Sequence, residues 1–209
     1  MKNQEIFRKS IEKSHSYIEY RTLLKSLLSQ GKSSGSEQSE ALLHYSELND
    51  TRMNRLDKTI SIPTENVEKL KQLENEQIWL VISEGWCGDA AQILPVINKM
   101  AEQNTKINLR IVFRDENDEL MQLFLTNGTR SIPKLIVLDK DTLEFITDFG
   151  PRPNAAKKLI LDYKAQHGIV DETAKTELQL WYLHDKGLST QNEILEAIET
   201  KLLSQKSLE

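Results

Sequence analysis

The chain has 209 residues, 38% of them hydrophobic and 28% charged, with a net charge of −5, which fits a globular protein of one domain with additions or two small ones. The acidic balance gives no electrostatic reason for a nucleic acid or an anionic membrane as partner, and the longest apolar runs fall far short of the ~20 residues that span a bilayer. The single cysteine excludes an internal disulfide and the opening MKNQEIFRKS lacks a signal peptide's apolar core, so a cytoplasmic location, where thiols stay reduced, is expected.

In residues 3–30, Phe7, Ile11, Ile18, Leu24, Leu27 and Leu28 recur at helical spacing without Pro or Gly, which predicts one helix. The polar cluster from Gly31 to Ser36 reads as a turn. A second helical run carries Leu42, Leu43, Tyr45, Leu48, Met53, Leu56 and Ile60. Two such helices form a hairpin that needs a surface to lie against. Pro63 stops the run, and Thr64 is expected to cap a helix reaching residue 74. Residues 78–82, Ile-Trp-Leu-Val-Ile, have the length and β-branched content of a strand buried on both faces. Beyond Cys87, residues 90–103 read as a helix with Ile93, Leu94, Ile97 and Met100 inward. Residues 107–113 read as a strand, 117–127 as a helix closed by Gly128, and 135–138 and 143–149 as strands joined at Lys140-Asp141. Helices are predicted over 153–166 and 171–186, and Thr190 with Glu193 fits a capping box for a last one. Leu208-Glu209 is set aside as a terminal remnant.

The fold class is therefore α/β: a small mixed sheet of about four strands covered by helices, the first two strands parallel and the last two antiparallel. Its parts are an N-terminal helical extension (1–62), a central α/β domain (63–168) and a C-terminal helical extension (169–206). The four histidines are never spaced as zinc pairs and no Gly-rich phosphate loop occurs, so neither a metal nor a cofactor is expected.

The stretch from Trp86 to Glu102, WCGDAAQILPVINKMAE, resembles the active-site helix of thioredoxin, whose pattern is Trp-Cys-Gly-Pro-Cys. Pro95 matches the proline inside that helix. Gly128-Thr-Arg-Ser-Ile132-Pro133 resembles the segment that carries the family's cis-proline, and Gly150 matches a glycine after the last strand. Three separated motifs in the correct order, over residues 64–166, make the resemblance specific. The Trp-Cys-Gly-Asp-Ala form with helical extensions is similar to a branch of bacterial thioredoxin-family proteins. The resemblance implies a thioredoxin-like fold with Cys87 as the reactive residue. It also implies a surface of Trp86, Gly88, Asp89, Ile132 and Pro133 that meets the substrate, with the Ile132–Pro133 bond cis. A cysteine at a strand-to-helix junction faces free amides and the positive end of the helix, which favours thiolate and lowers its pKa.

Two departures matter. Where the family has its second cysteine this chain has Ala90, and where it has a buried aspartate it has Val81. Both parts of the machinery that releases a mixed disulfide are absent. Asp89 is expected to cap the helix start, Asp115 the next helix, and Arg130 to join a surface ion pair. The residues leave three readings of Cys87 open. The first is single-thiol exchange with a disulfide-containing or thiol-modified protein or a small thiol; glutathione or another low-molecular-weight thiol then serves as co-substrate and resolves the product. The second is a peptide-binding or adaptor module that keeps the groove without the chemistry. In the third, Cys87 is an inert small apolar residue. Trp181, Tyr182 and Leu183 are expected in the core. The oligomeric state is left open.

Overall fold

The computed structural model of the chain describes residues 2–206 and the side chains of residues 2–204; Leu208 and Glu209 lie outside them. Its centre is β1 (Gln77–Ser83), buried at every position. Such a strand cannot sit at a sheet edge, and it does not: the order is β2-β1-β3-β4, with β2 (Ile107–Phe113) and β3 (Lys134–Asp139) on either side of β1, and β4 (Phe145–Phe149) outermost. β1 runs parallel to β2, Val81 opposite Ile111, and antiparallel to β3, Val81 opposite Leu135. β3 and β4 are antiparallel, with an irregularity between Val137 and Leu138. Each fully buried Ile, Leu or Val of β1 adds about 1.5–3 kcal/mol of hydrophobic stabilisation. Trp79 is completely buried, and its indole N–H donates to Gln77 Oε1 at 2.9 Å.

Among the described residues the helices are α1 (Lys2–Glu12), α2 (Tyr17–Ser29), α3 (Glu40–Thr59), α4 (Thr64–Lys71), α5 (Gly88–Ala101), α6 (Asp118–Leu123), α7 (Asn154–His167), α8 (Glu172–Asp185) and α9 (Leu188–Lys206). The hairpin of α2 and α3 finds its surface on the sheet and on α5: α3 packs on α5, α2 on β2, and α9 lies along β4 and against α5. Arg21 of α2 ties the pair together, reaching Asp50, Asn54 and Asp57 of α3 at 2.8 Å each. No helix among the described residues is long and apolar enough to cross a membrane.

Several boundaries differ from the sequence expectations, each for a local reason. Residues 3–30 form two helices, not one. Ser16 caps α2 in a capping box with Glu19, and the preceding His15 pairs its main chain with Ile111 on the free edge of β2, both bonds at 2.8 Å. That bridge shields an edge strand from unwanted pairing. Thr64 is the first residue of α4 rather than its cap, a position taken by Pro63. α6 ends at Leu123, and Asp115 lies in a 3₁₀ turn (Arg114–Glu116) and does not cap it. The capping box expected at Thr190 is absent. α9 begins earlier, at Leu188; Asp185 accepts from the Ser189 amide at 3.2 Å, and Glu193 instead accepts from the Asn154 amide at the start of α7 at 2.8 Å.

Candidate functional site

The site is built where β1 ends and α5 begins. Glu84, Gly85 and Trp86 make the turn, and Cys87 occupies the N-cap position of α5. Its sulfur accepts from the Ala90 amide at 3.5 Å and donates to the Ile132 carbonyl at 3.3 Å. The Ile132–Pro133 peptide bond is cis, and so is Gly150–Pro151. The structure thus brings Trp86, Cys87, Gly88, Asp89, Ile132 and Pro133 to one place. Ala90 and Val81 are both buried against the same core, apolar where a second sulfur and a carboxylate would be needed.

The electrostatics depart from expectation. Cys87 is only 8% exposed. Burial pushes its thiol up to about 12, the Asp89 carboxylate adds to the effect, and the amides of Ala90 and Asp89 and the Arg152 guanidinium oppose it. The expected acidification at a helix start is therefore outweighed. A helix terminus contributes about 0.3–1 kcal/mol, up to ~2, whereas full burial disfavours a charged form by roughly 4 kcal/mol or more.

Asp89 does not cap the helix. Its Oδ2 pairs with Arg152 at 2.7 Å and 2.8 Å, and its Oδ1 accepts from the Tyr182 hydroxyl at 2.9 Å. Arg152 follows β4 and Tyr182 lies on α8, so three distant segments meet on one carboxylate. Tyr182 is buried as expected for the core, but its neighbour Leu183 is 46% exposed. Arg130 takes Asp118 at 3.2 Å, the surface pair expected of it. Arg114 stacks over the Trp86 ring, 4.8 Å from its centroid, the cation–π arrangement that holds an indole face in one orientation.

On the other flank, Glu84 is wholly buried. It accepts from the Ser34 hydroxyl and from the Asp115 amide at 3.1 Å, while burial holds its carboxyl above the usual carboxylate range. Ser34 also receives the Gly85 amide at 2.8 Å, and Asn49 of α3 donates to the Gly85 carbonyl at 3.0 Å. The α2–α3 hairpin thereby fixes the turn ahead of the cysteine. A Cβ at Gly85 would lie 2.6 Å from Leu24 Cδ2. Gly85→Ala is expected to cost about 1–3 kcal/mol, read by urea unfolding, because Leu24 must move within a packed core.

The residues missed from sequence are Arg152, Tyr182, Glu84 and Ser34. Arg152, set between Pro151 and Pro153, carried a signal: a long cation on a stiff segment just past a strand. Ser34 and Tyr182 carried none. Among the described residues no three His, Cys, Asp or Glu side chains converge to hold a metal ion.

A sulfur at a helix start, against the carbonyl before a proline, on this four-stranded order, is the arrangement that the sequence motifs imply. A family model described as Thioredoxin matches residues 35–168, more than half of the chain. The chain belongs to the thioredoxin family. Two solved structures are similar to this thioredoxin-family chain across 89% of its length, both with a TM-score of 0.54. One is a protein of unknown function from Pseudomonas aeruginosa, 20% identical and covered over 98% of its chain. The other is an HIV epitope scaffold, 21% identical and covered over 99%. At such identity the likeness carries the thioredoxin-like fold alone. No curated protein matches the chain.

Proposed function

We propose that this thioredoxin-family protein works as a binding module that holds an extended segment of a partner protein against Trp86, Ser131 and Ile132, with Cys87 kept as a neutral thiol. The observation that carries the reading is the state of the sulfur: buried, bonded to the Ile132 carbonyl, and with a pKa pushed up to about 12. At pH 7 such a thiol is ionised to about one part in 10⁵, against a few per cent for a free cysteine. The greater nucleophilicity of a more basic thiolate, with a Brønsted slope of about 0.4–0.5, restores only half of that deficit on a logarithmic scale. The resting protein then exchanges roughly 10²-fold more slowly than a free thiol, and Ala90 offers nothing to resolve a product. The main-chain amides of Arg130, Ser131 and Ile132 make no hydrogen bond within the described residues. Arg130 is exposed and Ser131 half-buried, so an extended chain can pair along this segment as peptides do with exposed edges.

A second reading, single-thiol exchange, is favoured by one feature, the contact of the sulfur with the carbonyl preceding Pro133. There the Cys87 thiolate would attack a mixed disulfide, forming a new disulfide with one of its sulfurs while the other leaves as a thiol; an external thiol such as glutathione would then attack that new bond, freeing the Cys87 thiol and departing as a disulfide with the sulfur Cys87 had taken.

Iodoacetamide alkylation of Cys87 in the native protein, followed by intact-mass spectrometry, separates the two, because only the thiolate reacts. The expected rate near neutrality is at least about tenfold below that of the unfolded chain and still climbs at about pH 11. A plateau at or below about pH 8, with a mixed disulfide trapped from oxidised glutathione, decides for exchange.

A further inference from the structure

We propose that the groove between α3 and α8 is a second docking surface, which takes an acidic amphipathic segment of a partner protein. Two cavities, of about 310 Å³ and 420 Å³, lie side by side along the two helices, both lined by Arg55 and Leu183. Their walls carry Arg52, Arg55 and Lys186 with the apolar Leu180 and Leu183, and include no Asp or Glu. In a chain with 32 acids and 27 bases that is a marked local reversal of sign.

The three cations also lack the carboxylate partner that four of the eight arginines have. Arg21, Arg114, Arg130 and Arg152 each meet a carboxylate. Among the described residues Arg52 donates only to Asn49 Oδ1, at 2.9 Å, and no carboxylate pairs with it, Arg55 or Lys186. Burial and the adjacent Arg55 charge hold the Arg52 guanidinium below its ordinary pKa, as expected of like charges without a counterion. Leu180 and Leu183 are 48% and 46% exposed on the wall facing these cations. Apolar side chains rimmed by unpaired positive charge complement a helix or strand with leucine-like residues on one side and carboxylates beside them. A nucleic acid fits less well. The groove's one ring, Tyr182, is only 5% exposed and offers no face for a base to stack on.

The test uses the full chain and a fluorescein-labelled peptide with Leu at helical spacing and Glu between, titrated by anisotropy. Controls are its counterpart with Lys for Glu and a single-stranded oligonucleotide. The acidic peptide is expected to bind and to weaken as salt rises. Arg55→Glu, an exposed change whose folding is checked by thermal melting, is expected to weaken it about tenfold. Leu183→Ser should weaken it severalfold, and Lys158→Glu on α7 should leave it unchanged. No binding, equal binding of the Lys counterpart, tighter binding of the oligonucleotide, or indifference to Arg55→Glu overturns the proposal. Cys87→Ser separates this surface from the one at Ile132. Loss of the peptide with Cys87→Ser but not with Arg55→Glu places it there and overturns the groove, whereas the groove stands whatever the alkylation profile of Cys87.

Discussion

Gly150→Ala is expected to destabilise the fold by about 3–5 kcal/mol, with a fall in Tm of roughly 10 °C for a chain of this size. Gly150 follows β4 with φ +122°, a conformation that L side chains rarely adopt, and a Cβ there would stand 2.3 Å from the Pro133 carbonyl oxygen and 3.3 Å from its carbon. Both are main-chain atoms, so no rotamer change relieves the clash. The backbone of the loop that faces Cys87 has to move, or β4 has to leave its register with β3. An unfavourable φ alone costs about 1–3 kcal/mol, and the overlap adds to it. The measurement is thermal and urea denaturation of the purified variant. A loss under about 1 kcal/mol would show that the segment from Pro133 to Lys134 yields where its packing says it should not. Because the displaced atoms belong to the residue after Ile132, the variant should also disturb the contact between the sulfur and the Ile132 carbonyl.

Asp89→Asn is expected to speed alkylation of Cys87 severalfold at a fixed pH near neutrality. The sign follows from the causes of the raised thiol pKa. Burial is the largest and is unchanged by the substitution; the Asp89 carboxylate is the second, and it acts by repelling the thiolate. Removing it lowers the thiol pKa. Below that pKa, each unit by which it falls is a tenfold gain in thiolate, of which the weaker nucleophilicity of a less basic thiolate takes back only about half on a logarithmic scale, so the rate rises. The Arg152 charge, which Asp89 neutralises at 2.7 Å, then acts on the sulfur unopposed and in the same direction. Stability should fall at the same time, by about 1–3 kcal/mol, since Arg152 and the Tyr182 hydroxyl lose a charged acceptor. Faster alkylation beside a small loss of stability fits this account. An unchanged rate would mean that burial alone sets the thiol.

β1 is legible because five adjacent apolar residues are too short for a buried helix and rich in β-branched side chains, and α5 because its apolar rhythm follows the 3.6-residue turn. The meeting of Cys87 with Pro133 was legible through motifs whose order matched a known pattern. The break at His15 was hidden because Ile11 and Ile18 keep helical phase across it, although Ser16 and Glu19 have the spacing of a capping box. The ionisation of Cys87 is hidden from the sequence for a different reason. A helix terminus is a local feature visible in sequence, while burial depends on what α3 and α8 contribute from far along the chain. The same holds for Asp89, whose local role as a cap was plausible until Arg152 and Tyr182 claimed both of its oxygens.

That shared carboxylate has a consequence for how the gene can change. Positions 89, 152 and 182 lie far apart in the chain yet answer to one another. A substitution at any of them leaves the remaining two with charge or hydroxyl to spare, so paired changes are tolerated where single ones are not. Descendants of this protein should therefore keep the trio or replace it together.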